Sequence, residues 1–174
     1  MSRRKDLTDR IVALLPRLRR FALALSRHED EADDLVQATL ERALARLDSW
    51  KEDSRLDSWM FKIMQNLWID QTRASRSRGP HAPEGDLATV AGADGRTVMD
   101  VRMKLRATLE AAMALPQEQR TVLVLVVIEG LSYGEAAEVL DVPVGTVMSR
   151  LSRARLALCG RVAGAGAPRL SRVQ

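Results

Sequence analysis

From Ala32 onward, apolar side chains recur at Leu35, Val36, Leu40, Ala43, Leu44 and Leu47, and Thr39 completes the alternating spacing of three and one that lines a single face of an α-helix. The same spacing returns from Leu56 through Trp59, Met60, Ile63, Met64 and Leu67, behind a Ser54 and Asp57 pair with the form of a capping box. Ahead of both, Pro16 is placed to open a helix in which Leu18, Phe21, Ala22 and Leu25 share a stripe. No window alternates convincingly at period two. These patterns predict an all-helical first block that ends near Arg78.

Between Gly79 and Gly95 the periodicity stops, and four Gly and two Pro fall within those 17 residues. That is the composition of a linker. One face resumes with Val101, Leu105, Leu109 and Ala112. Leu115-Pro116 then breaks the chain and restarts it as an apolar helix from Thr121 to Ile128, which stops at Gly130. The expected fold class is all-α, with two small helical domains joined by a flexible linker: residues 1–78, a linker at 79–100, a second domain at 101–160, and a basic tail at 161–174. Two blocks on a Gly- and Pro-containing tether have no sequence-level reason to hold one fixed arrangement.

The sharpest local pattern follows Gly130. Ser132 with Glu135 makes a capping box for a short helix through Leu140, and Asp141-Val142-Pro143 turns the chain into a second helix from about Val144 to Leu158. Ala137, Asp141 and Val147 then hold the small, turn and apolar positions of a helix-turn-helix. The small residue lets the helices approach, the turn position favours a left-handed backbone, and the apolar residue locks the second helix down. Asp stands where Gly is usual, and Asp visits that conformation more readily than most residues. With Val147, Leu151, Ala154 and Leu158 facing inward, Thr146, Ser149, Arg150, Ser152, Arg153 and Arg155 are left for a major groove.

Charge distribution points the same way. The 174 residues carry a net charge of +4, but five acids crowd the six positions from Glu29 to Asp34. By contrast, Gln71 to Pro83 carries Arg73, Arg76 and Arg78 without an acid, and Val142 to Gln174 carries six arginines without one. Two basic stretches at the ends of helical segments make a polyanion a candidate partner. One cysteine, Cys159, and two histidines, His28 and His81, exclude an intrachain disulfide and make a metal site or a Cys-His catalytic set a poor expectation. We expect no cofactor and no enzymatic activity. The longest apolar run is too short for a membrane span and no signal-peptide stretch follows the basic N-terminus, so a cytoplasmic location without membrane insertion is expected.

These segments resemble a known family. Leu131-Ser132-Tyr133-Gly134-Glu135-Ala136-Ala137, Pro143-Val144-Gly145-Thr146-Val147 and Ser149-Arg150-Leu151-Ser152-Arg153-Ala154-Arg155 are similar to the promoter-binding C-terminal domain of bacterial sigma factors of the extracytoplasmic-function group. Asp33-Asp34-Leu35-Val36-Gln37, Leu47-Asp48-Ser49-Trp50 and the run from Trp59 to Asp70 resemble that group's core-binding and promoter-melting segments. The resemblance spans roughly Leu14 to Leu158 in the right order, and the joint occurrence is specific where either half alone is not.

The resemblance implies roles. It implies core RNA polymerase, promoter DNA and an anti-sigma factor as partners. Core polymerase would dock on Asp33, Asp34, Gln37 and Glu41, although the family usually has Glu where this chain has Ala38. Downstream-element contacts and strand melting would fall to Ser49, Trp50, Lys62, Asn66, Arg73 and Arg76, since open DNA needs polar groups for base edges and cations for phosphates. Two readings of Asn66 stand side by side: a base-binding pocket residue, or a core residue satisfying buried backbone beside Trp59. Trp68 is open between a stacking surface and a contact with the second domain. The upstream element would be read by Thr146, Ser149, Arg150, Ser152, Arg153 and Arg155, with Met148 where the family usually has Lys or Arg. The alternatives are a stand-alone helix-turn-helix regulator, which would bind symmetric operators without polymerase, and a helical enzyme or scaffold without DNA dependence.

Overall fold

The computed structural model describes residues 2–50, 54–76 and 96–166, and side chains within 5–50, 54–75 and 105–160. The described residues form helices and no strand: α1 (Ser2–Ala13), α2 (Leu15–Ser26), α3 (Glu29–Ala45), a 3₁₀ turn at Leu47–Ser49, α4 (Leu56–Arg76), α5 (Arg96–Met113), α6 (Gln117–Leu123) running into a π-helical turn at Val124–Ile128, α7 (Tyr133–Leu140) and α8 (Val144–Gly166). None of these helices is long and apolar enough to cross a membrane.

The first block forms as its periodicity predicts. Pro16 sits in the first turn of α2, and Arg27 ends that helix in the left-handed conformation at φ 72° with its N–H on the Leu23 carbonyl. Glu29, Asp30 and Glu31 fill the first turn of α3, where negative charge meets the positive end of the helix dipole. Leu18, Phe21, Leu25, Leu35, Met60, Phe61 and Met64 interlock across α2, α3 and α4 with almost no exposed surface. Phe21 meets Phe61 edge to face with centroids 5.2 Å apart. Thr39 tolerates its place in this stripe because its hydroxyl donates to the Leu35 carbonyl at 2.7 Å.

Several expectations change. Leu44 lies at the edge of the α3 stripe and is 43% exposed. Arg55, not Ser54, caps α4, since the Arg55 carbonyl accepts the first intrahelical bond from Trp59. Asp57 therefore lies one residue short of the capping-box position, and its carboxylate serves arginines instead. Helix α5 begins at Arg96, inside the stretch expected as linker; residues 77–95 lie outside the described ones. On the expected face of α5, Leu105 and Leu109 are exposed, Ala112 is half-buried and the Val101 side chain lies outside the described ones; Ala111 is buried instead, and α5 packs chiefly on α8.

The sequence left the arrangement of the two blocks open, and the structure supplies one. Helix α6 packs on α2 and α7 packs on α4, so buried residues from both blocks join in one hydrophobic cluster. Arg120, 1% exposed, ties the joint at its centre. Its guanidinium donates to the carbonyls of Ala24 at 2.6 Å, Leu115 at 2.7 Å and Met113 at 3.2 Å. Ala24 lies in the last turn of α2, whose carbonyls have no partner within the helix, so the arginine satisfies a helix end as it crosses between blocks.

Candidate polymerase and promoter interfaces

The helix-turn-helix is built as its residues require. Ser132 Oγ accepts the Glu135 amide at 3.2 Å and the Glu135 carboxylate accepts the Ser132 amide at 2.7 Å, which closes the capping box. The Ser132 amide first, and the Ser132 hydroxyl after it, hold the Glu135 carboxyl below its ordinary pKa. Asp141 occupies the left-handed region at φ 54°, with its N–H on the Ala137 carbonyl. Val147, Leu151 and Ala154 are buried against the rest of the block. On the outer side of α8, Ser152, Arg153 and Arg155 are exposed, while Thr146 and Ser149 are half-buried and joined by a hydroxyl-to-carbonyl bond of 3.0 Å. Arg150 turns aside: its guanidinium meets the Glu118 carboxylate of α6 at 2.9 Å. Met148 is 52% exposed beside this face.

On α3, Asp33, Asp34, Gln37 and Glu41 lie exposed, opposite the buried Ala32, Leu35, Thr39 and Ala43. Asp33 is engaged by Arg19 at 2.8 Å, and that hydrogen bond holds its carboxyl below the usual range. Gln37 donates to Glu41 at 3.1 Å, one turn on. Asp34 and Glu31 line an open groove of about 360 Å³ shared with Trp68, Gln71 and Thr72 of α4. Trp68 is thus a half-buried wall of the acidic groove.

The α4 residues divide. Asn66 and Arg73 are exposed, so Asn66 is not a core residue beneath Trp59. Ser49 is exposed with its hydroxyl on the Arg46 carbonyl at 2.6 Å. Trp50 is buried beneath the Arg10 guanidinium, 5.2 Å from its ring centroid. Lys62, one turn before Asn66, is half-buried and donates from Nζ to the Glu138 carbonyl of α7. Arg76 ends α4, beyond the described side chains.

A set of joint residues carried no sequence signal. The Glu129 side chain is fully buried and accepts Arg17 Nε at 2.6 Å and Arg20 Nε at 2.8 Å. Arg17 also reaches the Glu129 carbonyl and the Asp57 carboxylate, each at 2.8 Å. Asp57 takes a second arginine, Arg55, at 2.7 Å, and Arg55 extends to Glu135 at 3.2 Å. Burial works against the Asp57 charge, but hydrogen bonds from Arg55 and Arg17 prevail and draw its pKa down to about 2. Burial, with Arg27 nearby, lowers Arg120 to about 10. Read in sequence, Arg17, Arg20, Arg55, Arg120 and Glu129 look like solvated surface, and Asp57 and Glu135 like helix caps; only the packing of the two blocks brings them together.

Comparison with known proteins matches both blocks. Residues 11–65 match the family model described as the Sigma2 domain of PhyR, and residues 105–158 match Sigma-70, region 4. The chain is 42% identical over 150 residues to the ECF RNA polymerase sigma factor EcfG of Rhodopseudomonas palustris, covering 86% of this chain and 81% of that protein. It is 34% identical over 143 residues to the ECF RNA polymerase sigma factor SigW of Bacillus subtilis, covering 74% of this chain and 73% of the relative. Among solved structures it superposes on the sigma factor RpoE of Bartonella quintana, solved with the anti-sigma factor NepR, with a TM-score of 0.76 at 32% identity, covering 91% of this chain and 98% of that one. Two matched domains in order and relatives aligned over most of their length establish that the chain belongs to the ECF RNA polymerase sigma factors, proteins that direct RNA polymerase to promoters.

Proposed function

We propose that the chain divides its work between three surfaces. The exposed Asp33, Asp34, Gln37 and Glu41 face of α3, continuous with the Trp68 groove, docks a basic helical element of core RNA polymerase. Ser49, Trp50, Lys62, Asn66, Arg73 and Arg76 serve the downstream element and the melted strand, with Asn66 offering amide groups to a base edge and the cations holding phosphate. Thr146, Ser149, Arg150, Ser152, Arg153 and Arg155 read the upstream element in the major groove. Helices α1 to α4 and α5 to α8 act as the two functional units, with the chain between α4 and α5 as tether, and residues 161–174, of which 161–166 continue α8, as a basic extension.

The observation that carries this reading is the complete helix-turn-helix whose outer face holds exposed Ser152, Arg153 and Arg155. On this reading the polymerase does the chemistry, the chain is not itself an enzyme, and it acts in the cytoplasm. An anti-sigma partner is supported by the Bartonella quintana relative, whose structure was solved with one. The test is to mix the purified chain with core RNA polymerase and follow co-elution and promoter-specific transcripts, beside Asp34→Lys. Wild type is expected to bind and initiate, and the charge reversal to bind core polymerase more weakly with its helicity unchanged. Equal binding by Asp34→Lys removes the α3 face, and specific operator binding without polymerase replaces the reading with a stand-alone regulator.

A further inference from the structure

We propose that Arg19 restrains the docking face of α3 from within the chain, holding Asp33 and Glu29 so that a basic partner is directed to the acids on the opposite edge. The inference rests on the reading of that face as the dock for core RNA polymerase. The acids of α3 lie on two edges of the helix. Glu29 and Asp33, one turn apart, lie toward α2, where the Arg19 guanidinium meets them. Its Nε donates to Asp33 Oδ1 at 2.8 Å and a terminal nitrogen donates to Oδ2 at 3.5 Å, so both oxygens of that carboxylate are turned to α2. Glu29 stands 3.9 Å from the same guanidinium. Glu31 and Asp34 lie toward α4 and line the groove with Trp68. Among the described residues, neither of these two carboxylates has a hydrogen bond or an ion pair.

Arg19 thus sits where a partner's cation would go. An incoming arginine or lysine reaches Asp33 only by displacing a guanidinium that already spans the carboxylate, and exchanging one exposed ion pair for another gains little. At Asp34 nothing has to be displaced, and the Trp68 ring beside it offers a cation an aromatic face. Gln37 donates to Glu41 along the ridge between the two edges, but an amide is neutral and leaves Glu41 its charge. Arg19 is therefore a brake on docking that acts through one carboxylate. Side-chain exposures of 45% for Arg19 and 59% for Asp33 let water and salt screen the pair, so the brake is worth about threefold in affinity.

Equilibrium binding of the full-length chain to core RNA polymerase, measured for single and double variants, tests this. Arg19→Gln is expected to raise affinity about threefold at low salt, with the gain shrinking as salt rises. Asp33→Asn is expected to cost about 1.5-fold in the wild-type chain and about threefold once Arg19→Gln has freed the carboxylate, so the two changes are not additive. Arg42→Gln removes an exposed arginine from α3 itself and controls for net charge. Its effect should be the same with and without Asp33→Asn. Asp34→Asn should cost about fivefold in either background. An unchanged or lower affinity for Arg19→Gln, or an equal cost of Asp33→Asn in both backgrounds, overturns the inference. If Arg19→Gln lowers the urea midpoint and leaves affinity unmoved, Arg19 only braces α2 against α3 and the inference falls. Failure of the docking reading is distinct: there Asp34→Asn also leaves affinity unchanged, whereas failure of the inference alone leaves the cost of Asp34→Asn in place.

Discussion

The two helices given to DNA are treated differently by the fold. Helix α8 presents Ser152, Arg153 and Arg155 to solvent, and its inner stripe of Val147, Leu151 and Ala154 is covered within its own block. Helix α4 buries Met60, Phe61 and Met64 within its block, yet its Lys62 is held by α7 of the other. The difference lies in what each helix needs from its neighbours. A helix-turn-helix completes its core with the helices beside it in sequence, so its outer face stays open. A longer helix with a polar side flanked by arginines offers a second packing surface once a matching set of anions is supplied. An open face allows rapid electrostatic encounter with DNA, whereas a covered face makes engagement conditional on rearrangement.

The largest expected effect breaks the comparison at its root. Arg120→Ala strips the Ala24, Leu115 and Met113 carbonyls of their donor and leaves a void at the joint. It should lower unfolding free energy by about 3 kcal/mol or more, read as a shift in urea midpoint, and release α4 from α7. A midpoint within error of wild type would mean that the joint does not depend on this residue.

Next comes the open helix. Glu118 fixes the Arg150 guanidinium beside the outer face of α8. Arg150→Ala in the holoenzyme should therefore cost about 2 kcal/mol at one base pair of the upstream element. Weakening spread evenly across a promoter panel, with a shallower salt dependence, would reassign it to phosphate.

A smaller effect sharpens the ionic side of the joint. The folded-state pKa of Asp57, about 2, lies below its ordinary 3.8, so its stabilisation is present above pH 3.8 and is lost as pH falls through 2. Asp57→Asn should lower stability by about 1 kcal/mol at pH 6, and the gap to wild type should close between pH 4 and pH 2 in denaturant titrations. A constant gap would remove the carboxylate charge from the account.

The smallest effect concerns Met148, which leaves an apolar surface where a cation would reach the backbone. Met148→Lys should strengthen promoter binding by about 0.5 kcal/mol and steepen its salt dependence by about one ion. An unchanged slope would place this position away from the phosphates.

How much of this was legible follows from where each interaction closes. Ser132, Asp141 and Val147 act within one turn of their partners, and the stripes of α2, α3 and α4 require only a helical period, so pattern alone located them. Leu105 and Leu109 followed the same period and are exposed, because period does not say whether a neighbour covers both flanks of a helix. The acidic face of α3 was legible as charge, but its groove with Trp68 needed α4 alongside it. Arg17, Arg120 and Glu129 were illegible for a stronger reason. The bonds that join the blocks, Arg17 to Glu129 and Arg120 to Ala24, span 112 and 96 residues, and a buried arginine bonded to carbonyls has the same letters around it as a solvated one. Trp50 was assigned from its loop, and in the structure it joins the hydrophobic core with the Arg10 guanidinium over its ring, on α1, a helix the periodicity did not reveal.

That Lys62 of α4 is held by the other block while the outer face of α8 is open is tested most directly by acylating lysines in the free chain and timing Lys62 against the exposed Lys5 by mass spectrometry. Protection of Lys62 by the Glu138 carbonyl predicts that it reacts several times more slowly than Lys5, and that Arg20→Glu brings the two rates together. Equal rates in the wild-type chain would contradict the account.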